Sequence, residues 1–360
     1  YADKFVRKNL EQRLTASIGI DWNILESLNV NVQASHFTIN NHNESFNRAF
    51  RQGSTSSALN TSRNAATSLT RTIRNQLTGA ISYTFDIGDH NFNALLGAEY
   101  FKDNRFSSSA STKGSPTDLI ETLNAGAEPT GASSFETEYA LVSTFGRLLY
   151  DYDSKYLVSA TFRRDGSSQL GNEKFDFFPS VALGWNAHRE DFIQNSSVGN
   201  VISKLKPRLS YGVNGNLQEL TDRGNYIVFG SYGSQGTYNG QTGYANTGLP
   251  TLDLIWESST TLNFGLDISF FDNRLNFITD VYSRDVKNKI SPLTLPFYTG
   301  FSSVLTNNGT VRNKGFELEM NGDVFRDEDL TWNIGASFTT NKNYVVKLPE
   351  NDNEFNRQGG

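Results

Sequence analysis

The feature that most constrains this chain is an apolar/polar alternation of period two, repeated along its whole length and separated by connections of two alternating kinds. Leu14, Ala16, Ile18, Ile20 and Trp22 share one face of a strand, with Thr15, Ser17, Gly19 and Asp21 on the other. Leu28, Val30, Val32 and Ala34 repeat it against Asn29, Asn31, Gln33 and Ser35. The same pattern recurs from Leu77 to Phe85, Phe92 to Tyr100, Val142 to Tyr150, Tyr156 to Phe162, Val181 to Ala187, Leu205 to Val213, Leu262 to Phe270, Leu275 to Val281, Phe316 to Met320 and Leu330 to Phe338. Alternation of this kind predicts about twelve strands, each with one apolar and one polar face.

Short connections are expected at 23–27, 86–90, 151–155, 272–274 and 322–329, with a longer one at 189–203. Between them lie long polar segments at 38–68, 103–136, 214–257 and 286–312, and a shorter one at 165–177. Strands of about ten residues joined alternately by tight turns and long loops are the pattern of an outer-membrane barrel. In hydrocarbon every backbone amide needs a partner within the protein, so only helices and closed barrels cross. No stretch approaches the roughly 20 apolar residues of a spanning helix. The expected fold is therefore all-β, a transmembrane antiparallel up-and-down barrel with its apolar face toward lipid.

The polar face then lines a wet interior, carrying Asn29, Asn31, Lys206, Arg208, Asn263, Asp267, Glu317, Glu319 and Asn333. Rings near the turn-proximal strand ends (Trp22, Phe85, Phe92, Tyr150, Tyr156, Phe270, Trp332) fit an interfacial girdle. The chain holds 26 Phe, 15 Tyr and 4 Trp, yet its mean hydropathy is negative, a balance that a greasy outer surface with a polar interior would give. A soluble β-sandwich also alternates, because one face packs a core, but it supplies no reason for two classes of connection. A propeller requires a fixed repeat, and none is present.

Charge and chemistry narrow the function. The net charge of −6, from 38 acidic and 32 basic residues, offers no basic face for nucleic acid. With no cysteine there is no disulfide, thiolate metal site or Cys nucleophile. His36, His42, His90 and His188 are scattered without metal-ligand spacing. Asp151 and Asp153 open like a calcium loop, but the glycine and bidentate Glu do not follow, which leaves a turn. Asp327-Glu328-Asp329 reads as a solvated turn, and Arg163-Arg164-Asp165-Gly166-Ser167-Ser168 as a strand end with an Asp-Gly turn, or else a charged rim contact. Glu317 and Glu319 are two apart on one face, but paired-carboxylate catalysis needs a pKa-splitting pocket that a hydrated wall does not offer. Catalytic residues, metal sites and cofactors are not expected. The loop from Gly230 to Pro250 is rich in Gly, Gln and Asn, and its Tyr232, Tyr238 and Tyr244 are candidates to stack on sugar rings or peptide side chains. Phe297 and Tyr298 in the 286–312 segment are candidates for the same role or for a protein partner.

Several stretches taken in order resemble the C-terminal half of the SusC/RagA-type TonB-linked outer-membrane transporters. They are TFGRLLYDYDSKYLVSATFRRDGSS from Thr144 to Ser168, FPSVALGW from Phe178 to Trp185 with Glu190-Asp191-Phe192, and LKPRLSYGVNGN from Leu205 to Asn216. Trp256-Glu257 with Thr261 to Asp267, Asn308-Gly309 with Asn313 to Glu317, and Trp332-Asn333 complete the series. The similarity runs from about residue 139 to 345, more loosely before it. It implies residence in the outer membrane of a Gram-negative bacterium and a wide, plugged barrel, 22-stranded when whole, to which residues 1–360 contribute about twelve strands. On this resemblance the N-terminal plug and the last C-terminal strands lie outside the sequence. It also implies a SusD-like surface lipoprotein as lid, contact with TonB through the N-terminal region, and import of oligosaccharides or peptides. Two alternatives stay open: a barrel of the same ancestry serving as a structural or secretion-linked scaffold, and a soluble β-rich carbohydrate-active enzyme.

Overall fold

A computed structural model of the chain describes residues 4–51, 59–326 and 330–348. Its main sheet has twelve antiparallel strands: β1 (Phe5–Leu25), β2 (Leu28–Asn47), β5 (Ala65–Ile87), β6 (His90–Lys113), β7 (Glu128–Tyr152), β8 (Tyr156–Ser167), β9 (Phe175–Trp185), β10 (Ile202–Asn216), β13 (Glu257–Phe270), β14 (Leu275–Thr294), β15 (Ser303–Arg326) and β16 (Thr331–Lys347), hydrogen-bonded in that order. Two small hairpins, β3 (Phe50–Arg51) with β4 (Leu59–Asn60) and β11 (Ser231–Tyr238) with β12 (Gln241–Gly248), stand outside it. Next-neighbour pairing throughout is the up-and-down order the alternation predicts. The expected turn Asp327-Glu328-Asp329 lies outside the described residues, as do Tyr1 and Gly360.

The register shows why the alternation exists. Val158, Leu183, Leu209, Phe264, Val281 and Phe316 face one another across six successive strands. One residue along, Leu157, Gly184, Arg208, Gly265, Asp280 and Glu317 form the next row, on the opposite face. Because the side-chain period is two, a one-residue slip would move every apolar group to the polar face, so this pairing is tightly specified. Most apolar side chains of the first kind are exposed, Leu183, Leu209, Phe264 and Val281 among them. A soluble sheet would cover them.

The tight turns form as the sequence suggests. Asp153 and Ser154 both take left-handed φ (49° and 51°), as a type I′ hairpin requires, and Asp151 Oδ1 accepts from Ser154 N–H at 2.9 Å. At 88–89, Gly88 supplies the positive φ. The 189–203 connection is more structured than expected: it contains the one-turn helix α1 (Asp191–Gln194), and Ala187, expected at the end of an exposed strand face, is buried in a 3₁₀ turn. A second helix, α2 (Gln218–Arg223), lies in the 217–256 connection. The described helices are short and none spans a membrane.

Two sequence expectations are corrected. Much of the long polar segments is strand, not loop: β6 runs on through Lys113, β7 begins at Glu128, and β14 and β15 extend together to Thr294 and Ser303. These strands reach 20 to 25 residues, about twice a barrel's membrane crossing. Once both faces are wet, alternation no longer has a cause, while ladder hydrogen bonding still favours the strand. Second, Asp165-Gly166 is no turn. β8 continues through it, paired to Asp176 and Phe175, and the chain turns beyond Ser167. Arg163 binds Asp165 from the same strand face at 2.7 Å and Ser143 at 2.7 Å, so the charged motif stiffens the wall. Within the sheet the chain groups into two compact units, residues 1–20, 32–78 and 99–141, and residues 21–31, 79–98 and 142–360.

In the second unit the turn-proximal rings join into a belt. Phe85 stacks on Phe92 (centroids 4.7 Å), Phe92 meets Tyr150 (5.0 Å), His90 meets Tyr152 (4.6 Å), and Tyr152, Tyr156 and Trp185 follow at 6.2 and 6.4 Å. Glu190 accepts from Trp185 Nε1 at 3.0 Å and Tyr156 OH at 2.8 Å. Both bonds hold its carboxyl below the usual range. Amphipathic rings with an apolar body and a satisfied polar tip suit a membrane interface.

Candidate functional site

The polar face carries a charge network centred on Arg208. Its guanidinium donates to Asp267 Oδ1 at 2.9 Å and Asp280 Oδ2 at 3.1 Å. Asn263 Nδ2 donates to Asp280 Oδ1 at 2.8 Å, and Lys204 Nζ lies 3.3 Å from Asp267. The arginine can reach across three strands because Gly265 sits beneath it. A Cβ there would stand 2.6 Å from Asp280 Oδ1 and 2.7 Å from Arg208 Cζ. Beside this network is a concave region of about 580 Å³, lined in part by Leu157, Ser159, Lys206, Arg208 and Asn263. It presents hydrogen-bonding groups of both kinds and no nucleophile–base pair.

Each histidine meets a structural partner: His36 pairs with Asn75 (2.8 Å), His42 with Thr67 (3.1 Å), His90 with Tyr150 (2.8 Å) and His188 with the Leu205 carbonyl (3.3 Å). Among the described residues no three acidic, His or Cys groups converge as a metal site.

At the end of the sheet opposite the short turns, the second unit's connections pack a core of their own. Leu170 from the β8–β9 loop, Leu217, Leu220 and Val228 from the 217–230 segment, and Leu254 are buried. Phe178 meets the ring of Trp256 edge-on at 5.5 Å, and Trp256 Nε1 donates to the Lys174 carbonyl at 3.0 Å. Glu257, 2% exposed, accepts from Asn216 Nδ2 (2.9 Å) and from the Ile290 N–H (2.7 Å). A buried carboxylate is tolerable because both bonds reach it. These loops are thus a packed platform, which the sequence, read as polar and soluble there, did not reveal.

The β11–β12 hairpin projects from that platform. Tyr232 faces Asn246 and Ser234 faces Tyr244, so Tyr232 and Tyr244 are diagonal neighbours on one face. A bulge at 235–236, where Gly236 has φ 65°, shifts the register. Thr237 then shares the face of Tyr244, and Tyr238 turns to the other. The structure therefore brings two of the three predicted tyrosines together and separates the third. Phe297 and Tyr298, 100% and 89% exposed, sit apart at the tip of the β14–β15 hairpin. Thr299 Oγ1 donates to the Pro296 carbonyl at 2.8 Å, and the Leu295 N–H to the Ser302 carbonyl at 3.0 Å, which fixes the turn that presents them. Sequence reasoning named Arg208 and Asp267 only as polar positions. Their direct bond, and the extension of the network to Asp280, become visible when the registers of β10, β13 and β14 are laid side by side.

In the first unit the 114–127 loop is pinned by charge. Asp118 accepts from the Ala49 N–H (2.9 Å) and Arg63 Nε (2.6 Å), and Glu121 from Lys8 (3.0 Å) and Arg48 (3.2 Å). The Ala49 amide, then Arg63, lowers the Asp118 carboxyl, and Lys8 and Arg48 lower that of Glu121.

The family model described as TonB dependent receptor-like, beta-barrel matches residues 2–358. The chain belongs to that family. It is 37% identical over 284 residues to TonB-dependent receptor P3 of Formosa agariphila, a stretch covering 76% of this chain and 27% of that protein. It is 30% identical over 278 residues to TonB-dependent receptor SusC of Bacteroides thetaiotaomicron, with the same coverages of 76% and 27%. Among solved structures, the RagAB peptide importer in its closed-closed state superposes with a TM-score of 0.87 at 25% identity, over 96% of this chain and 38% of that one. The chain spans about a quarter of the length of these curated relatives. Receptors of this family are outer-membrane β-barrels of Gram-negative bacteria and are transporters, not enzymes. The soluble carbohydrate-active enzyme is thereby ruled out, and the exposed apolar rows acquire their solvent, the hydrocarbon of the outer membrane.

Proposed function

We propose that the chain forms a large part of the wall and outer rim of an importer of oligomeric nutrients, oligosaccharide or peptide, energised through TonB and lidded by a SusD-like surface lipoprotein. In this reading the whole barrel has 22 strands and encloses an N-terminal plug that lies outside residues 1–360. The observation that carries the reading is the superposition on the RagAB peptide importer across 96% of the chain. The packed loop platform supports it, because a rim that must meet a lid and a cargo repeatedly gains from being pre-ordered. Tyr232 and Tyr244, with Asn246 beside them, offer stacking faces and an amide at the spacing of neighbouring cross-strand pairs, suited to a sugar or a peptide side chain. Phe297 and Tyr298 present rigid aromatic anchors of the kind that dominate protein interfaces, and we assign them to the lid.

The test uses the full-length protein in its own cells. Deleting its gene should abolish growth on the cognate oligomer, and purification should bring down a surface lipoprotein. Tyr232→Ala with Tyr244→Ala should weaken cargo retention while leaving the lipoprotein bound, and Phe297→Ala with Tyr298→Ala should do the reverse. Normal uptake in the deletion strain, with a lipoprotein or secreted protein still bound to the barrel, would favour the scaffold reading.

A further inference from the structure

The outward face of β14, β15 and β16 changes character abruptly at one level. Below it the rows are apolar: on β13, Phe264, Leu266, Ile268 and Phe270 all point the same way, opposite partners such as Val281, Phe277, Phe316, Leu318 and Met320 on the next strands. From Phe264 to Phe270 is about 20 Å along the strand at roughly 3.4 Å per residue. With a barrel strand's tilt of about 40° this gives roughly 16 Å of height, most of the apolar band of about 25 Å that an outer membrane requires, so the row above, where Leu262 meets Ser283, stands at its outer edge. The next positions on the same face are Ser283 opposite Lys314 and Lys314 opposite Lys342, then Asp285 opposite Arg312, with Lys287 two residues further along β14.

Four cations and a single carboxylate therefore occupy a patch three strands wide at the outer edge of the hydrocarbon. Arg312 and Asp285 satisfy one another through two bonds of 2.6 and 2.7 Å. Lys287 and Lys314 are near enough to act on the charge of Asp285 as well. All three lysines are exposed, and among the described residues none has a carboxylate within ion-pair distance. Lys314 and Lys342 stand directly opposite each other in the ladder, an arrangement of like charges that destabilises a sheet when nothing anionic intervenes. In a chain of net charge −6 this surplus is local and specific. In the first unit, by contrast, Lys102 on its outward face is neutralised by Glu138 at 2.9 Å.

We propose that Lys287, Lys314 and Lys342, buttressed by Arg312, form a binding site for the phosphate groups of an outer-leaflet glycolipid. Ammonium groups act here as point charges on flexible stems that reach along the wall, while their methylenes lie on the apolar edge below. Arg312, held by Asp285, is the fixed element, and Tyr344 opposite it supplies an amphipathic ring at the same height. The acyl chains would continue down over Phe316, Leu318 and Phe338.

The test uses the full-length barrel extracted in mild detergent, with native mass spectrometry and total-phosphate analysis to count bound phosphorylated glycolipid. Titration into nanodiscs of phosphatidylcholine with or without lipid A supplies an affinity. The wild type should retain glycolipid, and Lys287→Gln, Lys314→Gln and Lys342→Gln together should weaken lipid A binding on the order of 100-fold, at about a kcal/mol per removed cation near a charged membrane surface. The three Lys→Arg replacements should keep it. Lys342→Glu separates binding from folding, because it places a carboxylate opposite Lys314. It should raise resistance to unfolding in lipid-free detergent while lowering glycolipid retention. Inorganic phosphate at millimolar concentration should not displace the lipid, since the chains contribute to binding. Unchanged glycolipid retention in the triple Gln variant would overturn the proposal, as would complete displacement by inorganic phosphate.

Discussion

Gly265→Ala tests the internal logic of the polar wall with one methyl group. The added Cβ would lie 2.6 Å from Asp280 Oδ1 and 2.7 Å from Arg208 Cζ, so the guanidinium has to leave its place across β13. That breaks the bonds to Asp267 and Asp280 at 2.9 and 3.1 Å. Hydrogen bonds to charged groups contribute roughly 1.5–3 kcal/mol each when shielded from water, whereas exposed ion pairs contribute about 0.2–1 kcal/mol. Arg208 is about one-third exposed, which places two such bonds between these limits, at about 1–3 kcal/mol in all. The assay is urea unfolding of the refolded full-length barrel in detergent, followed by tryptophan fluorescence and by the mobility difference between folded and unfolded barrel on a gel. The informative measurement is a double-mutant cycle with Arg208→Ala. Once the guanidinium is gone, only the Asp280 carboxylate, freed from its ion pair, has to swing away from the methyl, so Gly265→Ala should cost less there by about 1 kcal/mol or more, because contacting residues couple. An equal cost of Gly265→Ala in both backgrounds would refute the claim that this glycine exists to seat Arg208.

Leu220→Ala in the loop platform should destabilise the outer connections by about 2–5 kcal/mol. Faster hydrogen exchange should appear over residues 165–175 and 217–256 but not in the apolar rows of β10 and β13. The 114–127 loop should loosen in acid. The carboxyls of Asp118 and Glu121 are held below their ordinary values, so their contribution is complete above the unfolded carboxylate range near pH 4. It disappears as pH falls through the lowered folded values. Limited proteolysis of that loop should accordingly rise once the pH falls below the ordinary carboxylate range of about 4, and Asp118→Asn with Glu121→Gln should show the raised cleavage already at neutral pH.

Much of the fold was legible because two constraints write directly into sequence. Hydrocarbon on one side and water on the other force alternation, and tight turns force residues such as Gly88, Asp153 and Ser154. Legibility ended where those constraints end. Beyond the membrane both faces of β6, β7, β14 and β15 are wet, so a strand of Ser, Thr and Asn looks like a loop. Asp165-Gly166, a strong turn signal taken alone, is overridden because β9 pairs with β8 straight through it. The loop core was missed for a related reason. Leu170, Leu220, Val228 and Leu254 are single apolar residues scattered through polar sequence, and no local period announces that they meet. Tyr232, Tyr238 and Tyr244 were equivalent as letters, and a one-residue bulge divided them.

The account depends on which face of the sheet meets lipid, and the absence of cysteine from residues 1–360 allows that to be measured residue by residue, with any cysteine elsewhere in the full-length protein replaced by serine. Single cysteines at Phe264, Leu318, Asn263 and Glu317 in the full-length protein, reconstituted in bilayers, can each be offered a membrane-partitioning thiol reagent and a water-soluble one. Phe264→Cys and Leu318→Cys should react from the lipid phase alone, and Asn263→Cys and Glu317→Cys from water alone. Lipid-phase labelling at Asn263→Cys and Glu317→Cys, with Phe264→Cys and Leu318→Cys protected, would contradict the barrel as described here.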